Sequence, residues 1–341
     1  MALVPIPRLP LVPDPLRRIK VPSDLDPVTS AGDEADPGAA GMTGEAVERI
    51  WGSVQRLYRS GVHPAISVCV RREGEVVLER AIGHARGVGP GEPKDTAPVP
   101  ATPATPFTIF SASKAITAVV AHLLDERGLI HLGDRVCEYI PEYAKHGKEA
   151  ITIAHVLSHR AGVPNLPGEV LDLENVGDEE LLVSVLCDAK PLSRPGKALA
   201  YHAISGGFII GELVRRVTGR GIREYLAEEI LDTLSFRWTN YGVAPEDVPL
   251  VARNHATGAP ALPPVSTFLE RALGKVPDEV TRLSNDERFL TAVVPAGNTV
   301  TTANELSRFF ELLRRGGELD GVRVLEARTI RRALSEQSYP Q

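Results

Sequence analysis

Cysteine is scarce in this 341-residue chain: Cys69, Cys137 and Cys187 stand far apart, each within an apolar pattern. An odd, dispersed set fits buried thiols in a reducing compartment better than a disulfide framework or a metal site. Long apolar runs are lacking too. Stretches such as residues 181–187 fall far short of the roughly 20 residues a membrane span requires. The N-terminus, MALVPIPRLPLVPDPLRRIK, has no charged segment leading into a continuous apolar block, and its prolines break the helix a signal peptide forms, so a cytoplasmic protein is expected. Positive charge is not concentrated. Lys and Arg number 38 against 44 Asp and Glu, a net charge of −6, and only Arg17, Arg18 and Lys20 cluster, so no nucleic-acid partner is expected. No period of about 20 to 50 residues recurs, which argues against a solenoid or propeller.

What is present describes a globular chain, 43% apolar and 24% charged, long enough for about two domains. Residues 1–42 are rich in proline and read as an extended arm or linker. From Thr43, Val47, Ile50, Trp51, Val54, Leu57 and Tyr58 recur at helical spacing, with Gly61 as a stop. Residues 65–71 and 75–81 alternate around Arg72, Glu73 and Gly74, which predicts a half-buried hairpin. Prolines make residues 90–106 a loop. A strongly apolar helix is predicted over 111–127, and shorter helices over 153–159, 179–187, 206–217 and 222–234. Residues 241–288 show no clear period. The run 289–294 and a turn at Gly297 precede a helix over 303–315, where Thr302 and Glu305 have capping-box spacing.

The chemistry concentrates in FTIFSASKAITAVVAHLLDERG. Ser111 and Lys114 lie three apart at a helix start, so their side chains share one face and can meet. The helix N-terminus offers a positive dipole end to the oxyanion formed when a serine attacks a carbonyl. The bland alternative makes Ser111 an N-cap and Lys114 a solvated residue, and spacing alone does not exclude it.

The runs PFTIFSASKAITAVVAHLLDERGLIHLGDRVCEYIP, ITIAHVLSHRAGVP, RPGKALAYHAISGGFIIGELVRRVTG and PAGNTVTTANELSRFFELLRRGGELDGVRVL resemble the serine β-lactamase and penicillin-binding-protein superfamily. The likeness is to the branch shared by AmpC-type β-lactamases, D-aminoacyl peptidases and β-lactamase-like carboxylesterases. The resemblance implies that Ser111 is the nucleophile, Lys114 its proton partner and Tyr201 the phenol of the second motif. Ordinary Lys and Tyr titrate near 10.4 and 10, so the site must shift one of them before it can act as a base; which one stays open. The implied fold is α/β (α+β), β-lactamase/transpeptidase-like: an antiparallel sheet flanked by helices (43–108 with 289–341) and an inserted, mainly helical domain (109–288), with Ser111 at the seam.

The pattern departs from the superfamily twice. The second motif reads Tyr201, His202, Ala203, with alanine where the β-lactamases carry an asparagine for the substrate amide, which leans toward esters. No Lys-Thr-Gly or His-x-Gly triplet follows the 303–315 helix before Gln341, so the last sheet strands are expected to be missing and the activity of the chain as given to be weak or absent. Removing one oxyanion donor alone typically costs about 10²–10³ in rate. The expectation is therefore a serine hydrolase of the carboxylesterase kind, acting on a small-molecule ester, without cofactor or metal. A β-lactamase or D-amino-acid peptidase and a catalytically inactive binding relative are the alternatives. His155 and His159 have the i, i+4 spacing of a zinc pair but lack the glutamate and a third ligand. Ser205 lacks the glycine elbow of a triad nucleophile and reads as a helix cap, and Gly87, Gly89 and Gly91 read as a plain turn.

Overall fold

The computed structural model describes residues 14–93, 95–167, 170 and 172–335. The chain divides into two compact units, residues 1–105 with 252–266, and residues 106–251 with 267–341.

In the first unit, Thr43 caps the helix α1 (Gly44–Arg59) by accepting the Ala46 N–H, and the apolar stripe of that helix buries Val47, Trp51 and Tyr58. They pack on an antiparallel sheet of β1 (Thr29–Ala31), β2 (Ala65–Arg72), β3 (Glu75–Arg86) and β4 (Val99–Pro100). The expected hairpin is β2–β3, with Ile66 opposite Ile82. Its tight turn is possible because Glu73 and Gly74 both adopt left-handed backbone, φ 51° and 93°.

Residues 14–42 are not a free arm. Ile19, Leu25 and Ala40 are buried with Trp51 and Leu78, and β1 pairs with β3, Ser30 opposite Ala81. Prolines suggested a linker, but the few apolar side chains between them provide enough buried surface to dock it. Residues 1–13 of the expected arm lie outside the described residues.

The second unit opens with β5 (Phe107–Thr108) and the helix α2 (Ser113–Glu126), nine of whose residues are buried. Then come α3 (Val136–Tyr139), α4 (Ile153–Leu157), α5 (Glu179–Asp188), α6 (Ser205–Thr218) and α7 (Ile222–Leu226), the last running on through a π turn. After β6 (Asn240–Tyr241), the loop-rich segment without a clear period, 241–288, carries α8 (Val265–Leu273) and α9 (Pro277–Leu283), and α10 (Glu287–Thr291) runs from its end into the apolar stretch 289–294. Pro263, Pro264, Gly274 and Pro277 cut this segment into pieces too short for a helical period to show. The chain continues through β7 (Thr299–Thr301), α11 (Ala303–Arg314), the hairpin β8 (Glu318–Leu319) and β9 (Val322–Arg323), and α12 (Ala327–Ala333). The short strands β5, β7 and β6 form an antiparallel sheet in that order, with Thr108 and Asn240 both opposite Val300.

The expected grouping of 289–341 with 43–108 is not the division observed. Phe309, Leu312, Leu313, Leu325 and Ile330 bury in the same core as Ile116, Val120 and Leu124 of α2 and Leu213 of α6, which holds this stretch in the second unit. Thr302 does cap α11, accepting the Glu305 N–H. Glu305 does not close the box; its carboxylate instead accepts the backbone N–H groups of Arg237 and Trp238 and the Thr239 hydroxyl. No helix among the described residues is long and apolar enough to cross a membrane.

Candidate active site

Ser111 sits in a single 3₁₀ turn, Phe110–Ala112, immediately before α2. The preceding residue, Phe110, holds φ 46°, a left-handed conformation that a bulky side chain adopts only when its surroundings impose it. Ser113 imposes it. Its hydroxyl, fully buried, donates to the Phe110 carbonyl at 2.5 Å and accepts the Thr299 N–H at 3.0 Å. The Ile109 N–H donates to the Thr299 carbonyl at 2.9 Å. The turn is thereby tied to β7, and the sharp bend leaves Ser111 exposed while Ser113 points inward.

Two side chains converge on the Ser111 oxygen. Lys114 Nζ donates to Oγ at 3.1 Å, and the Tyr201 hydroxyl donates to it at 2.7 Å. Lys114 Nζ also donates to the Ala296 carbonyl at 2.9 Å and lies 5.0 Å from the centre of the Tyr201 ring. Burial pushes the lysine below its ordinary 10.5, and the bond and charge interaction with Tyr201 oppose part of that shift. An amine that can shed its proton, a phenol and a nucleophilic hydroxyl in mutual contact form a set able to move a proton off Ser111 and back.

The Ala296 carbonyl had no signature in the sequence, because a backbone oxygen carries no residue type. Its position is nevertheless built by side chains. Asn298, fully buried, donates through its amide to the carbonyls of Phe289 and Ala292 at 2.9 and 2.8 Å, and accepts the Val294 N–H at 3.0 Å. Thr117 donates to the Pro295 carbonyl at 2.5 Å and shares a hydrogen bond with the Tyr241 hydroxyl at 2.8 Å. Gly207 of α6 approaches so closely that a Cβ there would fall 2.6 Å from the Ala296 nitrogen.

Around Tyr201 stand two histidines. His159 meets the Tyr201 ring edge-on with centroids 5.1 Å apart, and stacks on His202 at 5.8 Å. His159 Nδ1 accepts the His202 backbone N–H at 3.2 Å, and His202 Nδ1 bonds the Ala200 carbonyl at 2.6 Å. Burial depresses both, with His159 pushed down to about 4, helped by the charges of His202 and Lys114. Together with Lys114, Thr117 and Gly207, they line a cavity of about 50 Å³ behind the lysine.

The remaining candidates fall elsewhere. His155 does not pair with His159 as a metal ligand: its Nδ1 accepts the Thr152 N–H in a capping box at the start of α4. Among the described residues no group of three or more His, Cys, Asp or Glu side chains could hold a metal ion. Ser205 begins α6 but does not cap it, because its hydroxyl donates to the Val163 carbonyl at 2.7 Å. Gly87 and Gly89 form a turn whose N–H groups are taken by the carboxylate of Glu92, at 2.9 and 2.6 Å.

Residues 53–341 match the protein-family profile described as Beta-lactamase. Over 226 residues the chain is 31% identical to the "Esterase/beta-lactamase LipL" of Mycobacterium tuberculosis, an overlap covering 62% of this chain and 51% of that protein. The chain thus spans about half the length of that relative. Among solved structures it is similar to a family VIII carboxylesterase, with TM-score 0.74 and 26% identity over 90% of this chain and 77% of the other. It is similar also to a penicillin-binding-protein homologue from Caulobacter crescentus, with TM-score 0.72 and 27% identity over 89% of this chain and 76% of the other.

Proposed function

Because this chain belongs to the β-lactamase family and carries Ser111 Oγ within hydrogen-bond reach of both Lys114 and Tyr201, we propose that it is a serine hydrolase working through an acyl-enzyme, a carboxylesterase on short-chain esters. The observation that carries the reading is the convergence of an amine and a phenol on one exposed hydroxyl.

In this reading the neutral amine of Lys114 accepts the Ser111 proton as Oγ attacks the ester carbonyl carbon. The oxyanion so formed lies near the N-terminal end of α2, whose dipole favours negative charge. Collapse breaks the bond to the alkoxide leaving group, which takes a proton from the Tyr201 hydroxyl, and Tyr201 recovers one from Lys114. A water molecule then attacks the acyl carbon, giving its proton to the same pair, and Ser111 leaves with a proton restored.

Ester is favoured over β-lactam by Ala203. Its side chain is a buried methyl at the position where the β-lactamases of the resemblance carry an asparagine for the substrate amide. The similarity to a family VIII carboxylesterase points the same way.

Intact-mass measurement after exposure to a fluorophosphonate tests the nucleophile. One adduct is expected on the wild-type chain and none on Ser111→Ala. An adduct that persists in the alanine variant, or a folded wild type that takes none, overturns the assignment, the second result favouring a binding role. Release of p-nitrophenol from its butyrate ester in preference to opening of nitrocefin is the expected substrate result; the reverse preference would make the enzyme a β-lactamase.

A further inference from the structure

Tyr201 sits on a stretch of chain, residues 189–204, that has no helix or strand, and the residue is 42% exposed. Something must hold its hydroxyl at 2.7 Å from Ser111, since a loop residue with this much freedom is otherwise spread over several rotamers. The residues that hold it belong to the end of α4. The His159 carbonyl accepts the Ala200 N–H at 3.0 Å, His159 Nδ1 accepts the His202 N–H at 3.2 Å, and the imidazole face meets the Tyr201 ring between them. One residue thus contacts the positions before, at and after the phenol.

His159 reaches all three because its backbone turns into the left-handed region, φ 60°, just past the end of α4. The tautomer follows from the partners. Nδ1 accepts, so the neutral ring carries its proton on Nε2. His202 has the opposite arrangement: its Nδ1 faces the Ala200 carbonyl, which can only accept, so the proton is on Nδ1. Its Nε2 is buried without a hydrogen-bond partner beside Lys114 in the 50 Å³ cavity. Such an arrangement keeps two neutral rings next to a lysine that must itself be able to lose a proton.

We infer that His159 is a positioning residue for the hydrolytic reaction, clamping the 200–202 segment through its Nδ1 acceptor and its ring so that the Tyr201 hydroxyl stays on Ser111. The inference rests on the proposed serine-hydrolase reading and adds to it a residue that acts through Tyr201.

The test is a set of variants read by the rate of fluorophosphonate labelling of Ser111 and by kcat and KM on p-nitrophenyl butyrate. His159→Asn keeps an acceptor where Nδ1 stood and tolerates the left-handed backbone; His159→Phe keeps a ring but cannot accept. Displacing a catalytic group by about 1 Å typically costs on the order of 10²-fold, so His159→Phe is expected to lower kcat and the labelling rate by about 10- to 100-fold with KM little changed, while His159→Asn stays within about threefold of wild type. Because His159 acts through Tyr201, adding His159→Phe to Tyr201→Phe is expected to cost little more than Tyr201→Phe alone. If His159→Phe does not fold, as judged by its thermal transition, His159→Gln takes its place, since its oxygen sits one bond too far out to replace Nδ1. Wild-type rates in His159→Phe, or losses that multiply in the double variant, overturn the clamp. A folded wild type that takes no label instead overturns the serine-hydrolase reading beneath it, so the two failures are distinguishable.

Discussion

At the scale of single residues, what sets Lys114 apart is where its amine is buried. Water is withdrawn from the ammonium, so the charged form is disfavoured and the group titrates below 10.5. The sign of the pH dependence follows from the proposed mechanism: with the amine as the reactive form, esterase activity is expected to rise with pH through a midpoint below that of an ordinary lysine and then level off. A pH–rate profile of kcat/KM checks it, and a midpoint at or above 10.5 contradicts the role. Lys114→Arg keeps a cation at every pH and is expected to lose about 10²- to 10⁴-fold, the usual contribution of a positioned base. The Ser111–Lys114 pair was legible as spacing, because an interval of three on a helix start is itself geometry. Tyr201 was legible only through resemblance, since 90 positions separate it from Ser111 and no local rule links them.

At the scale of elements, the site depends on how the segment 289–298 is pinned against α6. Asn298→Ala removes three buried hydrogen bonds and leaves two carbonyls and an N–H without partners. A loss of about 3 kcal/mol in unfolding free energy is expected, at roughly 1–3 kcal/mol for each buried polar group left unpaired and with partial relaxation. Gly207→Ala is a sharper probe. The added methyl would meet the Ala296 nitrogen at 2.6 Å and its Cβ at 2.8 Å, both on a neighbouring backbone segment that cannot swing aside like a flexible side chain. Overpacking of this kind costs about 1–3 kcal/mol, and kcat is expected to fall further than stability explains, because the displaced carbonyl is the one that holds Lys114. Chemical denaturation beside steady-state kinetics separates the two effects. None of this was legible in PAGNTVTT beyond a glycine turn. A carboxamide that braces its own loop looks the same in sequence as one facing solvent. The apolar patterns of α1, α2, α6 and α11 were legible because these helices are long enough for the pattern to recur, whereas α8, α9 and α10 are only nine, seven and five residues long, too short for a period to show.

For the molecule as a whole, buried histidines make acid the vulnerable direction. His122 on α2 is pushed down to about 4, first by burial and then by the charge of Arg332, and its Nδ1 is buried without a hydrogen-bond partner. An unfolded chain takes a proton at such a histidine near 6.5, while the folded chain refuses it until about 4. The stability contributed by the neutral ring is therefore complete above pH 6.5 and is lost steadily as pH falls toward 4. His159 behaves alike. His122→Leu is expected to fold at neutral pH and to show a shallower loss of stability between pH 6.5 and 4, by about one proton, in urea titrations run across that range. An unchanged slope would show that His122 does not contribute.

The hydroxyl of Ser113 joins Phe110 to Thr299, two points 189 positions apart along the polypeptide. Contacts of such span form late, because the intervening chain must be gathered first. The strained turn before α2 is therefore completed only when β7, which begins 173 positions after α2 ends, has been made and docked. If Ser111 is the nucleophile proposed above, its reactivity depends on β7 as much as on α2, and a chain that stops short of Thr299 is expected to take no fluorophosphonate label.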